Sequence, residues 1–301
     1  MMNYTIAQES RIGGRRINQD RVTWLATEDA VLMVVADGMG GHLQGEVAAQ
    51  IAVDTLTARF RDEAKTRLVD PAGFLAATLQ QAHETIVRYA TDCRIPAHAA
   101  PRTTCIACVV QDGLANWAHA GDSRLYLIHG HAEGPPRVAQ TRDHSVVQRM
   151  VDQGSLSDAE AAKHPLRNRV FSCLGGDVKP HIEVSPAVKL QEGDLIALCT
   201  DGAWSPLGEA LVSELGRASP STTVPHLLNA AELAAGPEAD NLTLIAMRWE
   251  APNPDRANDT HGRRPDVRKA VAEAPISDED IGLAVAAIRR GVPQTPNGAS
   301  S

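Results

Sequence analysis

Six apolar runs of strand length constrain this chain more than any other feature: AVLMVVADG, TTCIACVVQDG, LANWAHAGDS, RLYLIHG, GDLIALCTDG and DNLTLIAMRW. Turn residues bound them, and several close on Asp-Gly or His-Gly, the signature of strands joined by tight turns. Consecutive strands linked this tightly pair antiparallel, because parallel pairing needs a crossover between each strand and the next. Two segments carry helical periodicity. GEVAAQIAVDTLTARFRDE places Val47, Ala48, Ile51, Ala52, Thr55, Leu56 and Phe60 on one stripe, and PAGFLAATLQQAHETIVRYATD repeats the pattern through Phe74, Leu75, Thr78, Leu79, Ala82 and Ile86. The reading is an α+β fold, sandwiched antiparallel sheets with helices laid on them.

The 301 residues suffice for one large domain or two small ones, and 43% hydrophobic content supports a substantial core. A formal net charge of -8 argues against nucleic acid as a partner. No apolar run approaches the roughly 20 residues needed to cross a bilayer, and the N-terminus lacks signal-peptide patterning, so a cytoplasmic protein without a membrane partner is expected. The five cysteines fit a reducing compartment. Cys105 and Cys108 have C-x-x-C spacing, but in a strand they point to opposite faces and read as core.

Helix-start signals at Ser155 and Ser157 in the polar stretch 141–176 mark a small surface subdomain. Residues 1–250 form the main domain. Residues 251–275, dense in proline and charge, read as a linker. A short helix within 276–301 starts at Ser277 and stops at Gly291, with a stripe of Ile281, Ala284, Val285 and Ile288 that could dock on its own domain or on a partner.

Four aspartates share one placement: Asp37, Asp122 and Asp201 each follow a strand-like run, and Asp240 precedes one. A single Asp-Gly pair reads equally well as a plain hairpin turn. Four carboxylates at neighbouring strand ends need cations to neutralise them. All-oxygen donors without convergent His or Cys favour Mg2+ or Mn2+ over zinc. Gly38 can offer its carbonyl to such an ion and lets the chain turn tightly beside it.

GGRRINQD, VVADGMGGHLQGEVAAQ, TTCIACVV, AHAGDSRLYLI, TRDHSVVQRMVDQG, HPLRNRVFSCLGG, LCTDGAWS and ADNLTLIAMRW occur in an order and spacing that resembles the bacterial branch of the PPM (PP2C-like) metal-dependent protein serine/threonine phosphatases. The resemblance runs from about Asn3 to Trp249. It implies a sandwich with a centre holding two Mn2+ or Mg2+ ions at one edge: Asp37 bridging both, Gly38 giving its carbonyl to one, Asp201 and Asp240 completing the other, and Asp20 acting through water. Asp122 matches the residue that shares a third ion with the Asp201 position in bacterial members. Arg15 matches the phosphate-binding arginine, whose fork suits two phosphate oxygens, while Arg16 reads as a surface charge. The segment from about Asp143 to Arg169 matches a mobile flap.

The chemistry so implied is metal-assisted hydrolysis of phosphoserine and phosphothreonine in protein substrates, opposing a Ser/Thr kinase, by a monomer. Two alternatives stand beside it: a phosphatase of anti-sigma-factor antagonists, and a catalytically weak phosphoprotein-binding module. Two positions depart from the family pattern. Met39 stands where animal members carry a general-acid histidine, and His42 reads as structural. Gln19 replaces the usual glutamate of N-E-D.

Overall fold

The computed structural model describes residues 2–39, 44–129 and 137–250. His42 and the linker and terminal helix expected in 251–301 lie outside the described residues. In chain order the elements are β1 (Tyr4–Arg11), β2 (Asp20–Ala26), β3 (Ala30–Met39), α1 (Gln44–Glu63), α2 (Pro71–Asp92), β4 (Arg102–Thr103), β5 (Cys105–Gln111), β6 (Leu114–Ala120), β7 (Arg124–His129), β8 (Arg137–Gln140), α3 (Val146–Asp152), α4 (Asp158–Ala161), β9 (Leu174–Gly175), β10 (Glu183–Val184), β11 (Val188–Lys189), β12 (Leu195–Cys199), α5 (Asp201–Leu207), α6 (Glu209–Leu215), α7 (Pro220–Ala235) and β13 (Leu242–Trp249).

Two antiparallel sheets result. One runs β1-β13-β12-β7-β8; the other runs β10-β6-β5-β3-β4-β9, with β11 on β6 and β2 on β3. Strand β3 shows why its apolar run is unbroken. Val31, Met33 and Val35 pack between the sheets with Leu125, Leu127, Ile196, Leu198, Ile245 and Met247. The alternate residues Leu32, Val34 and Ala36 pack outward under α1 and α2 with Leu56, Phe60, Leu75 and Leu79. On the far side Tyr126, Cys199 and Leu244 meet Leu211, Leu227 and Leu228 of α6 and α7. The layers are helix, sheet, sheet, helix, as the sequence pattern predicts. Cys105 falls in the outer layer and Cys108 between the sheets, so the C-x-x-C spacing is core packing.

The six predicted strands and both helices are present. The buried stripe of α2 includes every residue assigned to it. That of α1 is rotated toward Ala49, Val53 and Thr57, leaving Val47, Ile51 and Thr55 half-buried. Ser157 caps α4, but α3 starts from Ser145, whose hydroxyl accepts from the Gln148 N–H, and Ser155 caps nothing. The three Asp-Gly pairs have three fates. Asp112-Gly113, both at positive φ, forms the two-residue hairpin between β5 and β6. Asp201-Gly202 opens α5. Asp37-Gly38 lies inside β3, which continues to Met39 because Gly38 and Met39 pair with β4.

Candidate metal and phosphate site

Asp37 is three alternations beyond Val31 on the same face of β3, so its carboxylate extends the row that lies between the sheets. Asp20 is its directly opposed partner on β2. Asp201 arrives from the second sheet, two residues past the end of β12, and Asp240 two residues before β13. Asp122 follows β6 in the turn to β7. Arg15, Arg16, Gln19, Asp37, Gly38, Met39, Asp122, Asn168, Asp201, Asp240 and Asn241 line a cleft of ≈ 440 Å³. Of the predicted site residues, only Asp20 is absent from this lining; it is 3% exposed and accepts a hydrogen bond from Thr200 Oγ1 at 2.9 Å. Arg16, read as a surface charge, lines the cleft beside Arg15.

Crowded carboxylates resist ionisation. Desolvation pushes Asp20 up to about 7, with Asp201 and Asp240 adding to the rise and hydrogen bonds from Thr243 and Thr200 opposing it. Asp201 is pushed up to about 6 by desolvation and by Asp240; hydrogen bonds from the Gly202 N–H and the Asp37 carboxyl hold it down in part. Asp37 and Asp122 are both raised well above the carboxylate range, first by desolvation and then by their acidic neighbours. Such a set ionises fully only beside cations, and its oxygen-only chemistry fits Mn2+ or Mg2+. The acids stay apart enough that, among the described residues, no three of them bring ligand atoms within 4.8 Å of one another.

The loop before β2 is pinned by a residue that sequence reasoning missed. Asn241 Nδ2 donates to the carbonyls of Ile12 and Ile17 at 2.9 and 3.0 Å, and its Oδ1 accepts from the Gln19 N–H at 2.8 Å. This side chain fixes residues 12–19 and thereby brings Arg15 over the acids. Arg15 Nη2 donates to Asp240 Oδ2 at 2.7 Å, while Asp240 Oδ1 accepts from the Asn241 N–H. A side chain at Gly38 would overlap the Gly45 carbonyl and come within 2.7 Å of the Gln19 carbonyl oxygen, so only glycine allows loop, strand and α1 to meet here.

Asn168, also missed, reaches the cleft from the segment between β8 and β9. The root of that segment is fixed by Asp143, which takes both arms of the Arg124 fork at 2.9 and 2.8 Å. The Arg124 guanidinium lies 3.4 Å from the Trp204 ring centroid, and Trp204 Nε1 donates to the Asp122 carbonyl at 3.0 Å. The Asp122 backbone is thus tied to α5, the helix that Asp201 opens.

A two-sheet antiparallel sandwich with helices on both outer faces and a carboxylate cleft where strand ends meet is the architecture of a metal-dependent phosphatase. The chain belongs to the protein phosphatase 2C family, whose model matches residues 7–234. It is 30% identical over 186 residues to the serine/threonine phosphatase stp of Listeria monocytogenes, covering 61% of this chain and 71% of that one. Its fold matches the serine/threonine phosphatase Stp1 from Staphylococcus aureus with a TM-score of 0.72 at 25% identity, over 83% of this chain and 96% of the other. It also matches the catalytic domain of the serine threonine protein phosphatase PstP in complex with 2 manganese ions, with a TM-score of 0.64 at 28% identity, over 82% and 99% of the two chains. Among the described residues, no helix is long and apolar enough to cross a membrane.

Proposed function

We propose that this chain is a metal-dependent protein serine/threonine phosphatase that acts on phosphoserine and phosphothreonine and opposes a Ser/Thr kinase, as a cytoplasmic monomer. One observation carries the reading. Asp37 from one sheet and Asp201 and Asp240 from the other face a single cleft that Arg15 overhangs.

Asp37, Gly38, Asp201 and Asp240 are the donor set for two Mn2+ or Mg2+ ions, and Asp122 with Asp201 for a third. When bound, such ions acidify water and neutralise charge developing on the phosphoryl oxygens. The chain's own groups do the rest. Arg15, half-exposed and engaged through one nitrogen with Asp240, has further N–H donors to offer two phosphate oxygens. Asp20, buried and held by Thr200, places negative charge behind Asp37 and favours cation occupancy of the cleft. Asn241 keeps Arg15 and Gln19 in register with Asp240, so phosphate and cation are presented together. Residues 143–169 border the cleft through Asn168 and act as the flap that shapes access for a protein substrate.

The test is Mn2+-dependent release of phosphate from phosphoserine and phosphothreonine peptides and from p-nitrophenyl phosphate. Turnover that disappears with chelator and returns with Mn2+ supports the reading. Phosphopeptide binding without turnover at any metal concentration refutes it in favour of a binding module.

A further inference from the structure

A second group of metal-binding side chains begins at His119, three residues before Asp122. His119 is the penultimate residue of β6, and Glu183 of β10 is its directly opposed partner. His144 comes from the root of the 143–169 segment. Its backbone is fixed there by bonds from its own N–H to the Gly121 carbonyl and from the Phe171 N–H to its carbonyl, at 2.9 and 2.8 Å. The His144 ring stacks on His119 with centroids 4.4 Å apart, and the His181 ring is 4.9 Å away. Ligand atoms of His119, His144 and Glu183 all lie within 4.8 Å of one another, the one such trio among the described residues.

The histidines are 1% and 3% exposed, yet each has a ring nitrogen with no hydrogen-bond partner: Nδ1 of His119 and Nε2 of His144. Buried polar atoms are almost always satisfied, and two orphans beside a carboxylate call for a ligand. His119 Nε2 lies 2.8 Å from the Arg142 carbonyl. A carbonyl only accepts, so the ring proton is on Nε2 and Nδ1 presents a bare lone pair. The nearest carboxylate oxygen to His144 Nε2 is that of Glu183, at 3.6 Å, outside hydrogen-bonding range.

We propose that His119, His144 and Glu183 form a site for a borderline transition-metal ion of the Zn2+ type, separate from the carboxylate cleft and of different selectivity. Two imidazoles and one carboxylate suit zinc, whereas hard ions such as Mg2+ prefer the all-oxygen cleft. Burial, reinforced for His144 by the neighbouring histidines, pushes His144 down to about 3 and lowers His119, so both rings are in the neutral form that ligates. One proton must move on loading. His144 Nδ1 accepts from the Gly121 N–H at 3.3 Å, which places its ring proton on Nε2. The ion takes Nε2, the proton passes to Nδ1, and the long contact to Gly121 is given up, with no change of oxidation state. The ion therefore ties the root of the segment to β6 and β10 and adjusts the backbone next to Asp122.

Co2+ serves as the probe, added to the full chain in excess Mg2+ so that the cleft holds its hard ion. One equivalent should develop the intense visible bands of low-coordinate Co2+, and Zn2+ should displace them. Glu183→Gln, altering an exposed side chain, and His119→Gln should each weaken binding by at least about tenfold, since even residues that only support a ligand typically cost 10- to 100-fold. Thermal melts confirm that both variants are folded. The proposal is overturned if the wild-type spectrum remains that of the hydrated ion, if the bands and affinity are unchanged in both variants, or if they vanish only in Asp37→Asn.

Discussion

Asp20 and Asp37 stand directly opposite each other across the β2–β3 ladder, an arrangement of like charges that destabilises a sheet unless something neutralises it. Asp37→Asn should therefore have opposite effects on activity and on stability. Hydrolysis of p-nitrophenyl phosphate should fall below about a tenth of wild type, because a direct donor and a charge are lost together. The metal-free fold should gain stability at neutral pH, because burial and the neighbouring acids disfavour an ionised carboxylate at this position and a neutral amide escapes that cost. Denaturant midpoints in chelator and a rate assay in Mn2+ measure the two effects on one preparation. Wild-type turnover in the variant refutes the assignment of Asp37.

The raised carboxylates also fix the sign of a pH effect. The unfolded chain gives up these protons near 3.8, the folded chain holds them to about 6 at Asp201 and about 7 at Asp20, so their contribution to metal-free stability declines as pH rises through that window. The buried histidines act in the opposite direction below 6.5, being neutral in the fold. Comparing Mn2+ with chelator at each pH cancels the histidine contribution. The rise in melting temperature on adding Mn2+ should be larger at about pH 8 than at about pH 5, because protons compete for the same oxygens. An increment that does not grow with pH would contradict the raised values.

Arg15→Ala should act on phosphate binding. Hydrogen bonds to charged groups are worth about 1.5–3 kcal/mol, so KM for an aryl phosphate should rise roughly 10- to 100-fold. The Mn2+ concentration for half-maximal activity should be unchanged or lower, because the ion pair that occupies Asp240 is removed. Steady-state kinetics at several Mn2+ concentrations separate the two parameters. Unaltered KM would transfer the role to Arg16, which shares the cleft.

Gln19 lines the cleft as a neutral amide where the family pattern has a carboxylate. Gln19→Glu should shift the Mn2+ titration of activity to lower concentration by about 10- to 100-fold, the usual size of an effect exerted on a metal through an intervening group. Superimposed curves would mean that Asp20 and Asp37 already supply the needed charge.

The parts of the fold that were legible in the sequence are those where burial is complete. β3, β5, β12 and β13 are covered on both faces and read as unbroken apolar runs. β1 and β2 escaped because most of their residues are only half-buried, which blurs both the apolar run and the alternation. The aspartates were readable as a set because each adjoins such a run. Asn241 and Asn168 were not, since an amide next to an aspartate or in a polar stretch has no local mark of the distant backbone it meets. The His119, His144 and Glu183 group depends on the β6–β10 register and on where the 143–169 segment returns, neither of which is encoded in any short stretch.

Strand β1 is hydrogen-bonded along its length to β13, from Tyr4 opposite Trp249 to Arg11 opposite Leu242. During synthesis this orders events in time. Of the described strands, the first to be made must wait for the last, and the 12–19 loop has no Asn241 to hold it until then. The nascent chain therefore carries Asp37 and Arg15 for most of its synthesis without a competent cleft, and catalytic ability arrives in one step when Trp249 clears the exit tunnel. Until that step, β1 and β12 offer unpaired edges that need protection from other chains.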